Sequence, residues 1–545
     1  MKISRTWPYL IVAALLPIAA HSANVDVDIK LVSADALEVS FALPEHCTAL
    51  AFLKDGRGGQ EIRAAWQKQN DCATAEGDLL KSAGACTARF RVPATMQKIS
   101  GYPGSFPAPG GMYVHSSNYA LADSCGPVRY RFQAADIVMN GQRYHDTATP
   151  PATSGGDTSA MLMLTPQTSA TLDYFDPRLS AATVARINEV ADGTIALLSK
   201  QLPLAVFTRP AIAAIGASEP GGPNVSGDAS NILRLAFFNW PQTLGPAEQD
   251  LLTTFVSHEF SHRFQLRDAV DVYPDSRLIN EGGAEFLRWL TSIQKGWLSH
   301  QQAAAQLDKA LAECTLYTEG KSWRALTPRE IGGQRLEYLC GLPTYVYSLA
   351  ARQGRGTAMN RFDRFYHQLR QGQVPDFAQA LECGDAAACK PQVLPALLSS
   401  GPTMEQQWDE VLPKTGLAAL RPPSQALRDR MVLRAVVKLM VDDCAGRSGT
   451  TETPEGIILD GMKVCKSIHQ DSYATSIEGH PVFGDAATGP AMKAACLARH
   501  EVTLGLKDGG KLVIPCQTPY EMREAFYAID IEKTLAQLMR EQGKP

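Results

Sequence analysis

Apolar and polar residues alternate with period two in three early stretches, VDVDIKLV (25–32), ALEVSFAL (36–43) and TARFRV (87–92). Alternation sends successive side chains to opposite faces of a strand, so residues 24–165 are expected to form a β-rich block. Within it, GYPGSFPAPGGM (101–112) reads as a Pro/Gly loop and TATPPATSGGDTSA (147–160) as a linker. From about residue 170 to 420 the spacing becomes helical, beginning with the amphipathic run 180–200. AVFTRPAIAAIGA (205–217) and NILRLAFFNW (231–240) read as strands, separated by a loop at 216–230. Pro246 opens a helix expected to run to about 266, a favoured place because the missing proline N–H would have no intrahelical partner there. Further helices are expected near 278–297, 300–313, 335–352 and 358–371, and Pro422-Pro423 precedes a mixed α/β block.

A chain of 545 residues favours about three domains. The expected organisation is multidomain: a β-rich N-terminal domain (24–165), a mainly helical middle domain (166–421) and a mixed α/β C-terminal domain (422–545). The 52 basic and 56 acidic residues leave a net charge of −4 with no long basic run, which gives nucleic acid no electrostatic footprint. Lys2 and Arg5 precede an apolar stretch, YLIVAALLPIAA (9–20), and then small residues through Ser22 and Ala23. That is the layout of a secretory signal over 1–23; the apolar stretch falls short of the roughly 20 residues a membrane span needs. The mature protein is therefore expected to be exported, to a periplasm or outside the cell, without stable membrane insertion. Twelve cysteines fall in three groups of four, as disulfides closed within each block would require. Cys383–Cys389, Cys444–Cys465 and Cys496–Cys516 make the shortest loops, but spacing leaves the pairing open.

The chemistry concentrates further on. Residues 255–264 read FVSHEFSHRF. On a helix His258 and His262 share one face, and two imidazoles so placed can bind one zinc ion. Glu259 is rotated about 100° from His258 and can act on a bound water instead of ligating. Zinc catalysis needs a third protein ligand and one open position. Glu281, in LINEGGAEFL (278–287), is available after 18 intervening residues that include turn formers. Glu285, one helical turn beyond, can accept a hydrogen bond from a ligating imidazole or pair with Arg263 or Arg288. Asn280 can help orient the site. Phe237, Phe238 and Trp240 read as core, and His300 and His367 as surface.

HExxH, 18 residues, then NEG resembles the gluzincin metallopeptidases, with spacing similar to the aminopeptidase N and glycyl aminopeptidase groups. The resemblance implies a thermolysin-like catalytic domain over 166–421 that holds one Zn²⁺ through His258, His262 and Glu281. It makes Glu259 the general base and Glu285 and Asn280 supporting residues. Those groups also carry a downstream Tyr-x-x-Gly, matched here by Tyr338 and Gly341, which makes Tyr338 the stabiliser of the oxyanion. Two departures stand out: the family often has lysine where Cys340 stands, and no GAMEN-type segment precedes HExxH. The implied function is hydrolysis of peptide or protein substrates. A non-catalytic binding protein on the same scaffold, or a zinc hydrolase of a non-peptide amide or ester, would use the same ligands.

Overall fold

The computed structural model describes residues 24–54, 56–95, 105–217, 222–265, 268–351, 357–382 and 393–539. The expected export signal and the Cys383–Cys389 loop lie outside them. The chain forms two compact units. One takes in the described residues up to Ala185 together with those of Thr208–Glu248; the other comprises Arg186–Phe207 and the described residues from Gln249 onward. Residues 208–248, expected with the helical middle, thus group with the N-terminal strands.

In the first unit the alternating stretches become strands. Val25, Val27 and Ile29 are wholly buried, whereas Asp26 and Lys30, on the opposite face, are exposed. Val25–Ser33 pairs antiparallel with Ala36–Leu43 and parallel with Val128–Met139. These lie inside a nine-stranded sheet, which continues through Ser159–Met163 and Gly111–His115 to Phe106–Ala108. Two sequence expectations change here. Residues 147–160 are not a linker but the crossing between Gln142–Ala148 and Ser159–Met163, both of which pair with Val128–Met139. Gly155 in this crossing lies so close to the Tyr130 ring that a Cβ would stand 2.9 Å from it. Residues 106–112 are not loop but part of a hairpin, Phe106–Ala108 against Gly111–His115, which turns at Gly110 with φ +79°.

A four-stranded sheet follows in the same unit. Tyr174–Phe175, Ala211–Ala217 and Ile232–Phe238 run parallel, and Asn224–Ala229 adds an antiparallel edge. The expected 216–230 loop therefore contains a strand. It is polar and glycine-bearing because an edge strand is held by main-chain hydrogen bonds that need no apolar side chains. Phe237 and Phe238 are core, as expected.

The second unit is built around helices whose apolar faces form one core, including Phe286, Leu287, Trp289, Tyr345, Phe362 and Trp408. Two of the expected helices are interrupted. The 278–297 helix begins with a π-helical turn at Leu278–Gly282 and continues as Gly283–Gln294. The 335–352 helix is split into Leu336–Leu339 and Gly341–Ala350. Towards the C-terminus Gln425–Asp443 precedes a six-stranded sheet. The chain then returns to the helical layer: Phe526–Ile529 pairs with Ala418–Arg421, and Leu535 and Leu538 of Ile531–Leu538 join the helical core.

Five disulfides link described cysteines: Cys47–Cys125, Cys72–Cys86, Cys314–Cys340, Cys444–Cys465 and Cys496–Cys516. Each closes within one of the three sequence groups. No described helix is long and apolar enough to cross a membrane.

One buried carboxyl gives this unit a pH signature. Asp308, in the His300–Tyr317 helix, accepts a hydrogen bond from the Ile529 N–H at 2.8 Å. Burial pushes its pKa up to about 6, against the modest opposing effects of that bond and of Arg421. A raised carboxyl pKa means the folded state holds the proton longer than the unfolded chain, whose carboxyl titrates near 4. The stabilisation is present below pH about 4 and is lost as pH rises towards 6. Asp308→Asn is therefore expected to raise the melting temperature relative to the parent at pH 7 and to leave it nearly unchanged at pH 4. Paired thermal scans at the two pH values check this; an equal gap at both would contradict it.

Candidate active site

The Pro246–His262 helix carries both histidines of the HExxH motif on one face. Glu281 projects from the π-helical turn, an irregularity that often marks functional sites because it re-aims side chains within a helix. Side-chain donors close on its carbonyls: the Tyr345 hydroxyl donates to Ile279 O at 2.9 Å and Gln265 Nε2 to Asn280 O at 3.0 Å.

A glycine pair then fixes the next element. A Cβ on Gly341 would stand 2.3 Å from Gly282 Cα, and one on Gly282 would stand 2.7 Å from Gly341 Cα. The backbones touch at this crossing, which only glycine on both sides permits. The contact brings Tyr338, just before Gly341, close enough to Glu281 for the carboxylate charge to act on the tyrosine hydroxyl. The Cys314–Cys340 disulfide ties the same segment to the His300–Tyr317 helix. Cysteine at 340, a departure from the family pattern, thus serves as an anchor.

The polar atoms converge tightly. His258 Nε2 and His262 Nε2 lie 3.0 Å apart. Glu281 Oε2 lies 3.3 Å from the first and 3.2 Å from the second. Facing lone pairs at such spacing repel unless a cation or proton stands between them. A tetrahedral ion with bonds of about 2.0–2.1 Å spaces its ligands by about 3.3 Å, so the donor set fits zinc. The other described cluster of potential ligands is Asp443, Cys444 and Cys465. Its sulfurs are consumed in a disulfide, and Asp443 accepts hydrogen bonds from Ser467.

The outer nitrogens each face a side-chain oxygen. His258 Nδ1 lies 2.9 Å from Glu285 Oε1, and Arg288 donates to Glu285 Oε2 at 2.6 Å. Of the partners the sequence offered, Glu285 thus takes the His258 imidazole and Arg288. His262 Nδ1 lies 2.9 Å from Gln265 Oε1. The amide of Gln265 cannot be turned round, because its Nε2 already faces the Asn280 carbonyl. Oε1 must accept, so His262 Nδ1 carries the proton and Nε2 presents its lone pair inward. Gln265 was not singled out in the sequence. The one available signal was helical spacing, three residues beyond His262.

The charges reinforce one another. Burial alone would lower the pKa of His258, but the carboxylates of Glu281 and Glu285 reverse this and carry it to about 10. Burial raises Glu281, yet the two imidazoles hold it well below the usual carboxylate range. Glu285 is likewise raised by burial and brought down to about 2 by Arg288 and His258. The same negative excess that would protonate an imidazole is what a divalent cation would neutralise. Burial, followed by the Glu281 charge, pushes the Tyr338 hydroxyl upward, so it stays a proton donor throughout the physiological range. Its ring centroid is 5.5 Å from that of His258. Glu259 is half-buried, and its charge is felt at both His258 and Tyr338. Asn280 is buried and contributes its main-chain carbonyl, while its side-chain oxygen has no hydrogen-bond partner. His300 is half-exposed and bonds Glu532.

No family model matches this sequence, and no curated protein matches it. Solved structures do. Among 59 matching chains is an aminopeptidase N family protein from Idiomarina loihiensis, at TM-score 0.58 and 10% identity. The match covers 95% of this chain and 100% of that one. The two share a fold. At that identity the likeness carries the architecture alone, and the chemistry must be read from this chain's own residues.

Proposed function

We propose that this protein is an exported zinc-dependent peptidase. The observation that carries the reading is the convergence of two imidazole Nε2 atoms and one carboxylate oxygen within 3.0–3.3 Å, with Glu259 and Tyr338 beside them. The shared fold with an aminopeptidase N family protein agrees with it. Five disulfides and the apolar, positively flanked N-terminal segment support export.

His258, His262 and Glu281 would hold the ion and leave one position open. When bound, zinc acts as a Lewis acid that brings the pKa of water from 15.7 towards about 7 and polarises a carbonyl. Glu259 takes the proton from the attacking water and later returns it to the leaving amine. The Tyr338 O–H donates to the oxygen on which charge develops at the scissile carbonyl. Glu285, held by Arg288, and Gln265, held by the Asn280 carbonyl, keep the imidazoles in the ligating tautomer.

The deciding experiment is metal analysis of the purified protein combined with hydrolysis of a quenched peptide library, with and without chelator. One zinc per chain and chelator-sensitive cleavage are expected; a protein that neither retains zinc nor cleaves any peptide would end this reading. Gln265→Ala and Glu285→Ala are each expected to weaken zinc affinity by about 10–100-fold, read by competition with a chromophoric chelator. Unchanged affinity in both would show that the outer contacts do not set the tautomers.

A further inference from the structure

We infer that Arg335 is a specificity residue of this site and selects peptides carrying a carboxylate beside the scissile bond. The inference rests on the peptidase reading and names its substrate class.

Arg335 joins the Pro328–Gly333 and Leu336–Leu339 helices in left-handed conformation, φ 53° and ψ 38°. Glycine is the usual residue where a helix ends this way, because a Cβ is strained there. Arginine has neither glycine's freedom nor the short side chain with which asparagine adapts to this region. Strained residues of this kind cluster at sites of recognition and catalysis, where the side chain is worth the conformational cost.

The side chain is aimed at the site. Its guanidinium lies over the ring of Tyr338, 4.6 Å from the centroid, and the hydroxyl of that ring feels the Glu281 charge. One aromatic ring therefore separates the cation from the metal-ligating carboxylate. Neighbouring arginines of the same unit are already engaged: Arg277 with Glu337 at 2.6 Å, Arg288 with Glu285 at 2.6 Å, and Arg324 with Asp275 at 2.7 Å. Glu337, two residues from Arg335, is thus taken. Among the described residues Arg335 makes no side-chain hydrogen bond or ion pair, and it is exposed. The contact with the Tyr338 ring places the guanidinium at the site without using its N–H groups. The N–H edge matches a carboxylate in bidentate fashion, which an ammonium cannot reproduce. A side chain flanking a carbonyl at the Tyr338 hydroxyl would pass along the same ring, so an aspartate or glutamate there reaches the fork.

The test uses the full-length zinc-loaded protein and matched peptides that differ only by Glu or Gln at each position flanking the cleavage site. The parent is expected to prefer Glu at one position by about tenfold or more in kcat/KM, the scale of one charge-assisted hydrogen bond. Arg335→Gln should abolish the Glu-to-Gln ratio whatever happens to the absolute rates, and Arg335→Lys should restore part of it. A residue that only braces Tyr338 would change both substrates together and leave the ratio intact. Binding of the same peptides to the Glu259→Gln variant, measured by calorimetry, supplies a readout independent of turnover. Cleavage without a preference for Glu, or a ratio that survives Arg335→Gln, overturns the assignment while the peptidase reading stands. Arg335-dependent preference for Glu in binding, in a parent that cleaves nothing, ends the peptidase reading and overturns the assignment to a scissile bond, leaving Arg335 a carboxylate-binding residue only.

Discussion

Glu259→Gln is expected to retain its zinc and to lose turnover by about 10²–10⁴-fold, the usual contribution of a positioned general acid–base. The two halves of this result come from different atoms. On the proposed ligand set, zinc retention would rest on His258 Nε2, His262 Nε2 and Glu281 Oε2, which meet at 3.0–3.3 Å. Glu259 stands outside that set, rotated round the helix from His258, so removing its charge spares the ligands. Glutamine has the same shape but cannot take a proton from water. Glu281→Gln makes the contrast: it should lose zinc first and activity as a consequence, because an amide oxygen is a far weaker ligand than a carboxylate. Metal content and kcat measured on the same preparations separate the roles. A Glu259→Gln protein that hydrolyses peptides at the parent rate would remove Glu259 from the mechanism.

Much of this site was legible because helix geometry turns spacing into proximity. His258 and His262 are one turn apart, and so are Glu281 and Glu285, so each pair was bound to share a face. What brings the pairs together was less visible. A π-helical turn has no compositional mark, and Leu278–Gly282 reads as ordinary helix until its hydrogen bonds are seen. The same holds for Asn224–Ala229, an edge strand whose pairing is main-chain and therefore silent in the pattern of apolar residues. The grouping of 208–248 with the N-terminal strands rests on a shared core, in which Phe106, Tyr113 and Met161 meet Ala213, Ile215 and Phe238, and local periodicity does not report such packing. Short disulfide loops such as Cys444–Cys465 were within reach, whereas Cys47–Cys125, 78 residues apart, required the fold.

Gly341→Ala is expected to damage activity more than stability, and the reason lies in the backbone contact at Gly282. The added Cβ would meet Gly282 Cα at 2.3 Å, then the Gly282 nitrogen at 3.1 Å. Both obstacles are main chain, so no rotamer change relieves them, and one segment must move. The Gly341 side is restrained by the Cys314–Cys340 disulfide, so the π-helical turn that carries Glu281 takes up much of the shift. Overpacking of this kind typically costs about 1–3 kcal/mol of stability. The same displacement separates Tyr338 from Glu281, and a misplacement on the order of 1 Å in a catalytic constellation can cost about 10²-fold in rate. Gly333→Ala is the control, since a Cβ there meets nothing within 4 Å. Denaturant midpoints, zinc affinity and kcat/KM for the two variants should diverge sharply, with Gly333→Ala close to the parent in all three. If Gly341→Ala matched it, the two helices would not be in contact where the motif glycines meet, and the Tyr-x-x-Gly spacing would have lost its physical reason.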